Sequence, residues 1–193
     1  MNKKTIIISL FLPILLLTGC AVPLIVGSSA VGTVPFRKKG VSGTINDISL
    51  TTSVNAKLYD YDPKAFTQID TDVYNGEVLL TGLVENPSFS SKAEELAWTV
   101  DGVRAVYNHV QPSKNSFFDY TKDTWITTKI KSKFLTDRDI KNLNYSVKTL
   151  AGVVYILGTA ETQVELEKVH SVSGETTGVS KVISYVSLKG KES

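Results

Sequence analysis

The second half of this sequence repeats the first half at a fixed spacing. A shift of 76 positions aligns the two copies without a gap, from Asp47 on Asp123 to Val110 on Val186. Glycine is the residue that permits tight turns, and three turn-like glycines recur at this spacing. The matching pairs are Gly76 with Gly152, Gly82 with Gly158 and Gly102 with Gly178. Because the two halves share this pattern, they are expected to share one fold. The repeat therefore predicts two homologous domains.

Each copy has the pattern of a helix followed by a β-hairpin. In the first copy, Asp47 is expected to cap a helix that carries an apolar residue at every fourth position. Strands over 68–74 and 77–84 are expected to meet at Asn75-Gly76, a pair suited to a tight hairpin turn, with a positive φ angle at the glycine. The hairpin pattern recurs in the second copy, where Gly152 occupies the turn.

A second helix and a third strand complete each copy. In the first copy, Asn86 is predicted to cap this helix, and the last strand is expected over 103–110. In the second copy, Thr162 and Glu165 form a predicted capping box, and the last strand is expected over about 179–188. The α-β-β-α-β order places a right-handed crossover beside an antiparallel hairpin. We therefore predict the α+β class, in which each domain is a small mixed sheet with two helices on one face.

These elements divide most of the chain into two domains and a connection. The first domain is predicted at 47–112, the second at 123–189, and the linker at 113–122. The linker is short, so we expect the domains to pack on each other. Three aromatic residues of the linker are expected to be buried at that interface: Phe117, Phe118 and Tyr120.

The N-terminus has the pattern of a secretory signal peptide. Two lysines precede an apolar run over 5–17, which is too short to span a bilayer comfortably. The run ends in Leu17-Thr18-Gly19-Cys20, which resembles a bacterial lipobox, and Cys20 is the only cysteine. We expect residues 1–19 to be the signal peptide, Cys20 to carry a lipid anchor, and residues 20–46 to form a flexible tether.

The two copies differ most in their charge. The first has four basic and ten acidic residues, whereas the second has ten basic and seven acidic residues. On the first helix, Trp125 and Lys129 of the second copy replace Ser49 and Ser53 of the first. A tryptophan beside lysines suits an anionic membrane surface. The candidate lipid-binding residues are Trp125, Thr128, Lys129, Ser132 and Lys133.

The core of this helix is predicted on a separate stripe. Ile126, Ile130 and Phe134 recur at every fourth residue and so lie on one side of the helix. Trp125 lies off that stripe. The alternative is that Trp125 packs against the first domain or the linker, and that the lysines form a solvated surface without a ligand.

Nothing in the sequence has the pattern of a catalytic or metal site. His109 and His170 are the only histidines, and neither has a second histidine or a cysteine at metal-ligand spacing. The chain has no glycine-rich phosphate loop and no nucleophile elbow. We expect no enzyme activity, no cofactor and no metal. The predicted compartment also argues against nucleic acid as a partner.

The paired glycines are similar to those of a known family. Gly76 and Gly152 in the hairpins, with Gly102 and Gly178 before the last strands, resemble BON domains. Together with the lipobox, the chain resembles the outer-membrane lipoproteins that carry two BON domains. The resemblance implies a non-enzymatic protein, lipid-anchored on the inner leaflet of the outer membrane, that faces the periplasm and binds phospholipid through the first helix of its second domain. The residues that match that helix motif are Trp125, Thr127, Thr128 and Lys129.

Two hypotheses of function follow. The first is a lipid-anchored protein whose second domain binds anionic phospholipid and supports outer-membrane integrity. The second is an envelope adaptor that binds a protein partner through its BON domains, such as an outer-membrane assembly or cell-wall protein. Ala21 favours the outer membrane in both hypotheses, because an aspartate at this position would resemble an inner-membrane retention signal.

Overall fold

The computed structural model describes residues 41–113 and 120–190, with side chains from residue 46 onward. The predicted signal peptide, the predicted tether up to residue 40, Cys20, Phe117 and Phe118 therefore lie outside the described residues. Residues 41–46 were expected to belong to the flexible tether, but they are helical, so that boundary of the prediction is wrong.

The same succession of elements occurs twice. The first domain contains α1 (Val41–Tyr61), α2 (Pro63–Phe66), β1 (Ile69–Tyr74), β2 (Glu77–Val84), α3 (Pro87–Trp98) and β3 (Ala105–Pro112). The second contains α4 (Tyr120–Thr136), a 3-10 turn (Asn142–Asn144), β4 (Tyr145–Leu150), β5 (Val153–Ala160), α5 (Gln163–Gly174) and β6 (Lys181–Leu188). Each strand of the second domain, and α5, begins and ends 76 residues after its counterpart. The predicted α-β-β-α-β order is confirmed, with α2 added in the first domain.

Each domain has a three-stranded sheet with the hairpin's second strand in the middle. β2 is antiparallel to β1 and parallel to β3, and β5 has the same relation to β4 and β6. The register is also repeated, because Ile69 pairs with Gly82 and Tyr145 pairs with Gly158. In each domain a separate apolar core lies between the helices and one face of the sheet. The predicted α+β class, with both helices on one face, is confirmed.

Both hairpins turn through two residues with left-handed backbone conformations. The φ angles are 55° at Asn75 and 74° at Gly76, and 56° at Ala151 and 74° at Gly152. Two consecutive positive φ angles characterise the type I′ turn, which matches the twist of the flanking strands. The predicted positive φ is thus confirmed at both glycines.

Asp47 does not cap the first helix, so that prediction is wrong. α1 begins at Val41, and Asp47 lies inside it with only 4% of its surface exposed. Its carboxylate accepts hydrogen bonds from the backbone N–H groups of Asn75, at 2.9 Å, and Gly76, at 3.0 Å. The aspartate therefore joins the helix to the hairpin turn.

Gly82 is also not at a turn, contrary to the sequence-based expectation. It lies inside β2, where a β-carbon would collide with the carbonyl oxygen of Gln68. At Gly158 in β5 a β-carbon would collide with the carbonyl oxygen of Asn144. Glycine recurs here because the preceding segment approaches the strand too closely for any side chain.

The predicted caps of the second helices are confirmed, with one change. Asn86 accepts a hydrogen bond from the N–H of Ser88 at the start of α3. Thr162 accepts one from the N–H of Glu165 at the start of α5, at 3.1 Å. The Glu165 carboxylate, however, bonds to the N–H groups of Glu161 and Lys141, both at 2.8 Å, rather than to that of Thr162. The Glu165 carboxylate therefore also fixes the backbone at Lys141, in the segment before β4.

The helix-free faces of the two sheets pack against each other. Side chains of both domains form one further apolar cluster, and the rings of Tyr107 and Tyr185 stack with their centroids 3.7 Å apart. The layers thus run helices, sheet, sheet, helices. The expected packing of the domains is confirmed, but Tyr120 is 55% exposed, so the expectation that it is buried at the interface is wrong. The apolar contacts described between the domains come from the two sheets.

His109 lies in this interface between the sheets. Its Nε2 atom is 2.6 Å from the Tyr185 hydroxyl, and its ring lies against Tyr155 with the centroids 4.4 Å apart. Burial lowers the pKa of His109 from its ordinary value of 6.5, and the positive charge of Lys181 lowers this pKa further. The interface therefore favours the neutral imidazole.

This arrangement predicts a loss of stability in mild acid. The unfolded chain binds the proton more readily, so the free energy of unfolding should fall as the pH drops below 6.5, and the loss should stop below the folded pKa. Denaturant unfolding between pH 7.5 and pH 4.5 measures it. His109→Gln is the control, because the difference between the two pH curves isolates this residue from the carboxylates. Parallel curves for the two proteins would contradict the prediction.

Candidate functional site

The predicted lipid-binding residues all lie on α4, which an apolar stripe holds in place. Ile126 and Ile130 have no exposed surface and Phe134 is 2% exposed, so the predicted core stripe is confirmed. These three side chains belong to the core of the second domain. The opposite side of the helix is left at the protein surface.

Asp123 fixes the rotation of α4 about its own axis. Its carboxylate accepts hydrogen bonds from the N–H groups of Ala151, at 2.7 Å, and Gly152, at 2.9 Å. This is the arrangement of Asp47 in the first domain, 76 positions earlier. The aspartate and the apolar stripe together determine which residues of α4 face outward.

Trp125 is at the surface of α4. It is 48% exposed, and the ammonium group of Lys129 lies 5.8 Å from the centroid of its ring. This distance is within the range of a cation–π contact, which holds the indole and the positive charge side by side. Trp125 is therefore not buried against the first domain, which the alternative interpretation required.

The other candidates lie along the same helix, but one of them has a partner inside the domain. Thr128 and Ser132 are exposed. Lys133 is exposed as well, yet its ammonium group donates a hydrogen bond to the Thr176 hydroxyl at 2.9 Å. Lys133 thus lies toward the end of α5, on the flank that also carries Lys129.

Two exposed leucines extend this surface, and the sequence analysis missed both. Leu135 at the end of α4 is 70% exposed, and Leu143 in the following 3-10 turn is 37% exposed. A cleft of about 420 Å³ opens beside Leu135. It is lined by Thr128, Lys131, Ser132, Phe134, Leu135, Asn142, Tyr145 and Val147. Leu135 could have been found as an apolar residue on the helix side opposite the core stripe.

The exposed surface of α4 carries charge of one sign only. The helix contains four lysines and a single acid, and that acid is the buried Asp123. Because the carboxylate faces the hairpin, it does not neutralise the outer surface. The lysines are Lys122, Lys129, Lys131 and Lys133. We refer to Trp125, Leu135 and these four lysines together as the basic face.

The equivalent helix α1 is an internal comparison. It has the same fold position and the same buried aspartate, but serines stand at the positions of Trp125 and Lys129. Its described part contains one lysine, Lys57, and its exposed large apolar residues are Ile48, Tyr59 and Tyr61. The fold therefore does not require the basic face, which is particular to the second domain.

The flank of α4 that borders the cleft beside Leu135 also borders a polar cleft between the domains. The cleft has a volume of about 430 Å³, and its walls are rich in threonines from both domains. Among these residues, the Thr127 hydroxyl donates a hydrogen bond to the Thr149 hydroxyl at 2.8 Å. Thr128 and Lys131 line both this cleft and the cleft beside Leu135, so the two clefts lie along one flank of α4, one toward each end of the helix.

The described residues offer no sign of a metal centre or of a membrane-spanning helix. Within 41–113 and 120–190, no group of three or more histidine, cysteine, aspartate or glutamate side chains has metal-binding geometry. In the same part of the chain, no helix is both long enough and apolar enough to cross a bilayer. His109 contacts tyrosines in the interface, and His170 is exposed on α5.

The fold and the basic face define a class of protein, a tandem of two homologous α+β domains of which the second presents a basic, aromatic helix. The family model of the BON domain matches the chain twice, over residues 46–111 and 122–190. This chain belongs to the BON domain family. The resemblance inferred from the paired glycines is thereby confirmed.

Several bacterial proteins are similar to this chain over most of its length. It is 35% identical over 169 residues to the outer membrane lipoprotein DolP of Haemophilus influenzae, covering 86% of this chain and 87% of that protein. It is 37% identical over 147 residues to a protein of Anaplasma centrale described as lying in the gshII 5' region, covering 75% and 96%. It is 32% identical over 145 residues to the osmotically inducible protein Y of Escherichia coli, covering 74% and 72%.

Proposed function

We propose that this protein is a non-enzymatic, lipid-anchored protein of the outer membrane that faces the periplasm and binds anionic phospholipid through α4. The observation that carries the proposal is the basic face, on which Trp125 and four lysines are exposed while the only acid of the helix is buried. Its absence from α1, which has the same place in the fold, argues that it serves a ligand and not the fold.

The expected strength of this contact suits an anchored protein. A lysine near an anionic bilayer contributes about 1 kcal/mol, so the four lysines together contribute at most about 4 kcal/mol. That upper limit corresponds to a dissociation constant no lower than about 1 mM. Trp125 and Leu135 add interfacial and apolar contacts. A protein already held at the membrane needs no more than this to dock one side on the bilayer.

The anchor belongs to the same proposal. Cys20 follows a lipobox-like sequence, and the relative DolP is described as an outer membrane lipoprotein. Acyl chains on Cys20 would retain the protein at the membrane, because each buried methylene contributes about 0.8 kcal/mol. In this arrangement the basic face sets orientation and lipid preference, while the acyl chains supply retention.

Vesicle binding of a soluble chain lacking residues 1–20 tests the role of α4 without the anchor. Trp125→Ala should weaken binding to vesicles of anionic phospholipid while the circular dichroism of the domain stays unchanged. Lys129→Glu combined with Lys133→Glu should weaken binding to anionic vesicles by at least about tenfold, because each reversal replaces an attraction with a repulsion. Raised salt should imitate the reversal, since it shortens the range of the attraction.

The repeat supplies a matched control for the charge reversal. Lys57 of α1 is exposed and is the counterpart of Lys133, so Lys57→Glu should leave vesicle binding unchanged. Zwitterionic vesicles should bind all charge variants alike. Failure of the soluble chain to sediment with anionic vesicles at low salt would overturn the proposal and favour a protein partner for the BON domains.

A further inference from the structure

The contacts between the two sheets are related to one another by the repeat itself. Asp72 and Lys148 are 76 positions apart and form an ion pair with 3.4 Å between Oδ2 and Nζ. His109 and Tyr185 are also 76 positions apart, and they meet at 2.6 Å. A residue that contacts its own counterpart lies next to a two-fold axis. Two independent pairs therefore mark an approximate two-fold axis through the interface.

The polar contacts away from the axis obey the same symmetry. Asp70 and Ser146 are counterparts in the two domains. The Lys148 ammonium group lies 3.7 Å from Asp70, and the Ser146 hydroxyl donates a hydrogen bond to Asp72 at 3.0 Å. Exchanging the two domains converts the first of these contacts into the second. The interface therefore has the geometry of a symmetric homodimer, formed within one chain.

The residues at this interface would not suit a pairing of two like domains. Two first domains would bring Asp70 and Asp72 of each copy together, which collects four carboxylates without a base. Two second domains would face Lys148 with Lys148 and offer only Ser146 as a partner. Like charges at this range repel, and partial burial strengthens the repulsion, because the side chains of Asp72 and Lys148 are only 23% and 30% exposed. Only the unlike pairing places a base against the acids.

The second pair at the axis, His109 and Tyr185, also favours the pairing of unlike domains. In the unlike pairing, the His109 imidazole meets the Tyr185 hydroxyl in a short hydrogen bond, and the Tyr185 ring also stacks on Tyr107. Two first domains would place two imidazoles at the axis, and two second domains would place two phenols there. The contact between the His109 imidazole and the Tyr185 phenol is complementary. In a pairing of two like domains it would be replaced by a contact between two identical groups.

We propose that the helix-free sheet face of each domain is a recognition surface whose partner is the unlike domain of the same chain. The polar group at the axis, Asp70, Asp72, Ser146 and Lys148, determines this specificity by rejecting a second copy of the same domain. A symmetric interface would otherwise bind like and unlike domains equally, and the chain could associate through its repeats instead of closing on itself.

Charge exchange in the soluble chain lacking residues 1–20 tests the proposal. Asp72→Lys faces Lys148 with a second ammonium group, so it should lower the melting temperature by about 4 °C or more and enlarge the radius of gyration. The fourfold variant Asp70→Ser, Asp72→Lys, Ser146→Asp and Lys148→Asp moves the whole polar group to the opposite domain at constant net charge. If the faces are related by a two-fold axis, this variant should recover most of the lost stability and the compact radius.

Two further measurements separate the proposal from a general loss of folding. Lys148→Asp is the mirror of Asp72→Lys and should cause a loss of the same kind. Asp60→Lys makes the same charge change at an exposed position of α1 and should alter neither quantity. A fourfold variant as unstable as Asp72→Lys would show that the faces are not equivalent, and an unaffected Asp72→Lys would show that the polar group does not determine pairing. Either outcome overturns the proposal.

Discussion

Replacing Asp123 with alanine is expected to lower the free energy of unfolding by about 3 kcal/mol. The carboxylate is 5% exposed and accepts two hydrogen bonds from the hairpin turn, at 2.7 and 2.9 Å. Hydrogen bonds to a charged group contribute about 1.5–3 kcal/mol each, and the N–H groups of Ala151 and Gly152 would lose their acceptor. Denaturant unfolding of the soluble chain measures the loss.

The repeat again provides the comparison. Asp47→Ala should cause a similar loss in the first domain, since Asp47 makes the same two contacts with its own hairpin. Asp123→Asn should cost less than Asp123→Ala, because the amide keeps one acceptor oxygen. A change of less than about 0.5 kcal/mol in both alanine variants, as for an ordinary surface substitution, would show that the aspartates do not hold the helices to the hairpins.

Ile130→Ala is expected to cost about 2–5 kcal/mol of stability, the usual range for a large-to-small change in a core. Ile130 has no exposed surface and packs in the core of the second domain. The measurement is the same denaturant unfolding, with Leu135→Ala as the control on the opposite side of the helix. Leu135 is 70% exposed, so its loss should change stability by less than about 0.5 kcal/mol.

The affinity for anionic vesicles should rank these two variants in the opposite order, with Leu135→Ala affected more than Ile130→Ala. At a temperature where Ile130→Ala is still folded, its affinity for anionic vesicles should be close to that of the unaltered chain. Leu135→Ala should weaken vesicle binding, because it removes apolar contact area from the basic face. An Ile130→Ala variant of full stability would mean that the apolar stripe of α4 is not part of the core.

The fold was predictable because the repeat tests each local signal twice. Asn75-Gly76 alone is a common turn, but Gly152 at the same spacing makes the hairpin a shared requirement. The capping residues Asn86 and Thr162 were predictable for a related reason. Each acts on an amide two or three residues further along the chain, a range that sequence patterns describe well.

The parts that could not be predicted depend on distant partners. Asp47 has the residue type of a helix cap, but its hydrogen-bond partners lie 28 and 29 residues away. The same holds for Lys133, whose partner Thr176 is 43 residues away. Leu135 was missed for a different reason, because an outward helix position is expected to be polar and an apolar residue there is easily assigned to the core.

The packing of sheet against sheet determines how the molecule would behave in the electric field of a bilayer. Since the helices are the outermost layers, α4 with its lysines lies on one side and the helices of the acidic first domain lie on the other, two sheets away. Packed sheets are about 10 Å apart and each helix layer adds about 10 Å, so charges on the two outer helix layers are separated by roughly 30 Å. Near a negatively charged leaflet such a dipole would experience a torque that turns α4 toward the lipid and the first domain away from it. The protein would therefore be oriented by the field before α4 contacts the lipid.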